Sequence, residues 1–186
     1  MMRFLMSLAL VLSLSPLASA KEVAGVKVAE TLSVDQQQLV LNGVGIRTKF
    51  FMDIYVASLY LPKTNRNAEE IIAADEPMAI RLQIVSSMIN SKRMSDSTRD
   101  GFVRSTGGNV APIEAEVEEL ITAFQDAVEE GDTFDLVYEP GSGVTVYRNG
   151  ESKSNVKGLK FKQALFGIWL SEDPIQNRLK DNMLDS

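Results

Sequence analysis

The chain contains no cysteine and no histidine. Without cysteine there is no disulfide, no thiol nucleophile and no lipobox cysteine to carry a lipid, so the fold must rest on burial alone. Without histidine the commonest general base is gone, together with the Ser-His-Asp and Cys-His arrangements and the familiar histidine-containing zinc sites. Chemistry falls to tyrosine, lysine, arginine, carboxylates or water, and no motif implies a cofactor or a metal. Basic residues are in the minority, 19 against 25 acidic ones, for a net charge of −6. Such a balance argues against nucleic acid and against anionic lipid surfaces, which both call for a basic patch. The Gly141-Ser142-Gly143 stretch has no helix start behind it, which removes the phosphate-cradle reading.

Long apolar runs are scarce as well. Arg3, the apolar residues 4–14 and Ala18-Ser19-Ala20 have the order of a secretory signal peptide, and the apolar part is shorter than the ~18 residues a membrane span needs. The expectation is a leader over residues 1–20, cleaved before Lys21, and a single domain over 21–186. The product is then periplasmic and without a transmembrane anchor after processing. Loss of the leader removes Arg3 and no acid, so the mature chain is one charge more negative. A hydrophobic content of 45% excludes a disordered chain.

β-Branched and aromatic residues are concentrated in residues 39–62, LVLNGVGIRTKFFMDIYVASLYLP. Both faces of this run are largely apolar, whereas a strand buried on one face alone would alternate. It is therefore expected centrally in a sheet covered on both sides, or lining a cleft on one of them. Arg47 is its anomaly, because a guanidinium beside such a run needs water at a strand end or a polar partner.

Around it, Val23, Val26, Val28 and Val34 suit one or two short edge strands. Asn65 or Asn67 caps a short helix over 69–74, and Pro77 opens a strand over 78–86. Asn90 or Ser91 caps a helix over 92–105 that ends at Gly107-Gly108. After Pro112, apolar residues from Ile113 to Val128 recur at three-to-four spacing and predict an amphipathic helix up to Gly131, with its glutamates as a solvated face. Residues 133–156 read as a three-stranded antiparallel meander, closed by an Asn149-Gly150 type I′ turn. Residues 160–170 form an apolar helix in which Phe161, Phe166 and Trp169 read as core, and Ser171 caps a last helix over 175–183. This order defines an α+β domain, an antiparallel sheet covered by a helical layer.

The pattern LNGVGIR at 41–47, followed by YVASLYLP at 55–62, resembles the chalcone isomerase fold family, and specifically its bacterial chalcone isomerase-like branch. Residues 164–184 resemble that branch's closing segment, and Gly131-Asp132, the Tyr-Glu-Pro-Gly at 138–141 and Asn149-Gly150 fall in its order between them. The resemblance implies an open-faced β-sandwich with a ligand cleft between sheet and helices. In the plant enzymes an arginine of this signature lines the substrate cleft, and it falls on Arg47. A threonine of the next strand falls on Tyr55, while the catalytic tyrosine and asparagine fall near Met94 and Gly101, neither of which can replace them.

A related non-catalytic branch holds fatty-acid carboxylates with an arginine and a tyrosine, a pairing that Arg47 and Tyr55 would repeat. A guanidinium and a phenol offer a fork and a third donor to one carboxylate, while an apolar cleft takes the tail. On one straight strand residues eight apart lie roughly 26 Å from each other, so the pair converges only if the chain reverses around 49–52. The competing readings are Arg47 at a solvated strand end and Tyr55 as a core ring. The resemblance thus implies a periplasmic, non-catalytic binder of a small amphipathic anion such as a fatty acid. The alternative is an intramolecular lyase or isomerase of the chalcone isomerase type, acting on a phenolic compound.

Overall fold

The computed structural model describes residues 20–34 and 37–185; the expected leader, apart from Ala20, lies outside them. A short hairpin, β1 (Ala20–Val23) and β2 (Val26–Ala29), precedes a seven-stranded sheet whose spatial order is its chain order. The sheet runs β3 (Thr31–Val34), β4 (Gln37–Lys49), β5 (Met52–Leu61), β6 (Met78–Ile84), β7 (Thr133–Glu139), β8 (Gly143–Arg148) and β9 (Glu151–Val156), antiparallel throughout. Helices α1 (Ala68–Ala73), α2 (Ser91–Ser105), α3 (Glu114–Thr122), α4 (Leu159–Leu170) and α5 (Asn177–Leu184) complete it.

The central run is two strands, β4 and β5, and the chain reverses at Phe50-Phe51. Residues 54–61 are all buried, because the two faces of β5 serve different layers. Tyr55, Ala57, Leu59 and Leu61 join Ile80, Leu82 and Leu136 beneath the helices. Tyr60 turns the other way, to a smaller cluster with Val34, Leu39, Ala79 and Val137. Over that second face lies the β1–β2 hairpin, held by the Tyr60 hydroxyl donating to Ala29 O at 2.9 Å. The sheet is thus covered fully on one side and in part on the other, as the apolar character of both faces requires.

Local chemistry sets several boundaries. Asn67 caps α1 by accepting from the N–H groups of Glu69 and Glu70, and Asn90 caps α2 by accepting from Arg93 N. At the β8–β9 turn Asn149 and Gly150 take the positive φ values, 51° and 85°, that a two-residue hairpin demands.

Other expectations need correction. The helix expected from 113 to 131 stops at Thr122, preceded by one 3₁₀ turn, Ala111–Ile113. Thr122 Oγ1 donates to Glu119 O at 2.6 Å, and such back-bonding competes with helix continuation. Phe124 and Val128 are nevertheless buried, Phe124 edge-on against Phe134 with ring centroids 5.4 Å apart. Their spacing recorded burial and not helicity. The irregular segment is pinned instead by Asp132, which accepts from Glu129 N, Asn149 Nδ2 and Arg148 Nη2 at 2.6–2.8 Å. Ser171 ends α4 and does not cap α5, whose N-cap is Gln176. The strand expected over 78–86 closes at Ile84.

Lys162 is fully buried in the apolar helix α4. Its ammonium donates to Ile71 O, Ile72 O and Ala74 O at 3.0, 2.9 and 2.6 Å, satisfying the carbonyls that α1 leaves open at its C-terminus. Burial lowers its pKa to about 8, against the pull of Asp75 and Glu76. The rings of Tyr138 and Phe166 each lie 5.4 Å from Nζ.

Candidate functional site

The Gly43-Val44-Gly45-Ile46-Arg47 signature puts two glycines and the arginine on one face of β4. A Cβ on Gly43 would come within 2.5 Å of the carbonyl oxygens of Asn182 and Met183, and one on Gly45 within 2.8 Å of Leu179. The glycines therefore let α5 lie directly on the strand. Asn42, left over at a bulge in the β4–β5 register, donates to Met183 O at 2.9 Å and accepts from Asn65 N at 2.7 Å, locking that contact.

Seating α5 in this way delivers its N-cap residue to the arginine. Gln176 Oε1 accepts from Arg47 Nη1 at 3.1 Å and from Thr48 N at 3.0 Å, while its amide donates to Thr48 Oγ1 at 2.9 Å. Arg47 Nη1 also donates to Thr48 O at 2.7 Å. The guanidinium is half-buried and aimed, and among the described residues its Nε and Nη2 hydrogens have no acceptor.

Tyr55 is the register partner of Arg47 across the β4–β5 hairpin, so both side chains leave the same face with Cβ atoms about 4.5–5.5 Å apart. The reversal falls where convergence required it. A second bulge beside them makes Ile54 the extra residue of β5, and Ile54 and Tyr55 both reach the same cavity. Tyr55 is 6% exposed and accepts from Trp169 Nε1 at 3.1 Å. Burial pushes its phenol up, with the Trp169 hydrogen bond and the Arg47 charge offsetting only part. The phenol thus stays protonated, and its own hydrogen has no acceptor among the described residues.

The pair stands in the wall of a cavity of about 280 Å³ between sheet and helices, just below the roughly 300 Å³ at which small-molecule sites begin. Its interior is apolar: Ile54, Leu82 and Leu136 from the sheet, Met94 from α2, Leu165 and Ile168 from α4. Lys49, Phe50, Arg93, Asp96 and Asp100 line it while remaining exposed, and they mark its mouth. Trp169, expected as core, lines the cavity as well; Phe161 and Phe166 are core as expected. Met94 brings only a thioether to the wall, and Gly101 is not part of it. No group of three or more carboxylates placed to hold a metal occurs among the described residues.

Residues 20–185 match the chalcone isomerase-like family, and the chain belongs to that family. Among its relatives is Fatty-acid-binding protein 1 of Arabidopsis thaliana, 25% identical over 125 residues, which are 63% of this chain and 43% of that protein. The chain thus spans less than half the length of the curated relative it matches. The crystal structure of an Arabidopsis thaliana fatty-acid binding protein superposes with a TM-score of 0.71 at 19% identity, covering 90% of this chain and 96% of the other. That likeness carries the fold: an antiparallel sheet with a helical layer, the chalcone isomerase-like open-faced arrangement.

Sequence reasoning named Arg47 and Tyr55 as candidates and missed the residues that contact them. Gln176 gave no signal, being one polar residue ahead of a polar helix. The chain's one tryptophan did offer one, since a buried indole N–H must find an acceptor.

Proposed function

We propose that this protein is a non-catalytic carrier or receptor for a small amphipathic carboxylate, a fatty acid of short to medium chain, and that it acts in the periplasm after export. The carboxylate sits between Arg47 and Tyr55 and the acyl chain fills the apolar cavity. One observation carries the reading. Two donors of different kinds, opposite each other on neighbouring strands, keep unspent hydrogens at the wall of an apolar cavity. The guanidinium supplies charge, the phenol a neutral donor, and Gln176 and Trp169 fix both before a ligand arrives, so little ordering cost remains to be met on binding. The kinship with a fatty-acid-binding protein supports the same ligand class. The modest volume favours a shorter chain over a long one.

Native mass spectrometry of the exported protein tests the proposal. The expected spectrum shows a mature chain beginning at Lys21, with a co-purified acyl carboxylate in part of the population. Apo protein that fails to take up dodecanoate on titration refutes the binding role. Turnover of a chalcone by that protein supports the isomerase alternative instead.

A further inference from the structure

The β4–β5 turn is built from residues that disfavour it. Phe50 and Phe51 both have positive φ, 51° and 65°, and bulky side chains rarely adopt this left-handed region. The chain closes its β8–β9 hairpin with Asn149-Gly150, the pair that makes such a turn without strain, so Phe-Phe is not there to make a turn. Nor do the rings pack inside the protein: Phe50 is 74% exposed, Phe51 fully so and Met52 42%. Phe50 also lines the mouth of the cavity, so this apolar tip is continuous with the proposed ligand site.

We infer that the Phe50-Phe51 tip inserts into a phospholipid bilayer and makes the cavity mouth a portal through which an acyl chain passes between membrane and protein. This inference rests on the reading of the cavity as an acyl site. Area argues against a second copy of the chain as occupant. Two phenylalanine rings bury about 300–500 Å² at most, against roughly 800 Å² per partner in a stable interface. Aromatic side chains at a membrane interface need no such partner surface. Charge selects the lipid. Lys49 and Asp53 flank the tip with opposite signs, Lys49 and Arg93 at the rim are matched by Asp96 and Asp100, and the whole chain carries −6. An uncharged tip on an acidic protein suits a zwitterionic surface entered by apolar insertion.

Co-sedimentation with phosphatidylcholine vesicles, run beside dodecanoate titration in solution, tests the inference. Phe51→Asn suits the purpose because asparagine tolerates the left-handed conformation, and Phe51 is outside the cavity lining. Wild-type protein is expected to partition onto vesicles, and Phe51→Asn to lose about 10- to 100-fold in partitioning while binding soluble dodecanoate unchanged. Phe51→Trp is expected to retain partitioning and to show quenching by brominated acyl chains beyond that of Trp169 in the wild type. Equal partitioning of wild type and Phe51→Asn overturns the inference and leaves the acyl site standing, as does binding that requires anionic lipid. Self-association abolished by Phe51→Asn, without vesicle binding, assigns the tip to a second copy and overturns it too. Docking by a wild type that binds no dodecanoate sinks the acyl site and supports the membrane tip alone.

Discussion

Replacing Arg47 by alanine removes the half-buried cation that stands beside Tyr55 in the cavity wall and leaves the apolar cavity otherwise whole. The structural loss is small. Gln176 Oε1 keeps Thr48 N as a donor, and the Gln176 amide keeps Thr48 Oγ1, so neither is orphaned. Thr48 O lies near water at the hairpin end, so stability should fall by less than about 1 kcal/mol. The ligand loses a charge-assisted fork, about 1.5–3 kcal/mol, so dodecanoate should bind roughly 10- to 150-fold more weakly. Displacement of a fluorescent acyl probe at neutral pH reads this directly. Dodecanol provides the control, since it fills the same cavity without a charge and its affinity should change by no more than about 2- to 12-fold, the equivalent of a lost neutral contact. Equal affinity of wild type and Arg47→Ala for dodecanoate would refute the argument. So would a parallel loss for dodecanol, which would mean that the arginine holds the cavity open and does not recognise the anion.

Tyr55→Phe should weaken dodecanoate binding by about 0.5–1.5 kcal/mol, and because the Trp169 N–H then lacks its acceptor, calorimetric melting should show a further stability loss of about 1–3 kcal/mol. Lys162→Met leaves three α1 carbonyls without their donor and should cost about 1–3 kcal/mol in urea unfolding with ligand affinity unchanged; a neutral result would mean that burying the ammonium costs as much as its hydrogen bonds return. Burial alone would raise the Asp132 carboxyl, but donors from Glu129, Asn149 and Arg148 outweigh it and hold it below its ordinary value. The unfolded chain then binds the extra proton first, so this contribution is fully present above about pH 4 and is lost as pH falls further; Asp132→Asn should flatten that acid limb of stability against pH.

The parts of the fold that were legible in the sequence are those where one residue type answers one local demand. Asn149-Gly150 specifies its turn, Asn67 and Asn90 their helix starts, and the two-faced apolar run its central strands. Helical spacing from Ile113 to Val128 misled because an irregular segment tied down by Asp132 can bury Phe124 and Val128 just as a helix would. The supports of the site were hidden for a related reason. Gln176 meets Arg47 across 129 positions and Trp169 meets Tyr55 across 114, distances over which no local pattern speaks. The Phe50-Phe51 turn runs against turn propensity outright, and such conflicts concentrate where function outweighs local preference.

The central claim is an orientation: carboxylate on Arg47 and Tyr55, tail among the leucines and isoleucines of the cavity. A crystal structure of the protein with dodecanoate measures it. The account predicts carboxylate oxygens at about 2.7–3.2 Å from the Arg47 guanidinium and the Tyr55 hydroxyl, with Gln176 and Trp169 unmoved. A carboxylate at the mouth beside Lys49 with the tail against Tyr55, or dodecanoate lying outside the cavity, would contradict it.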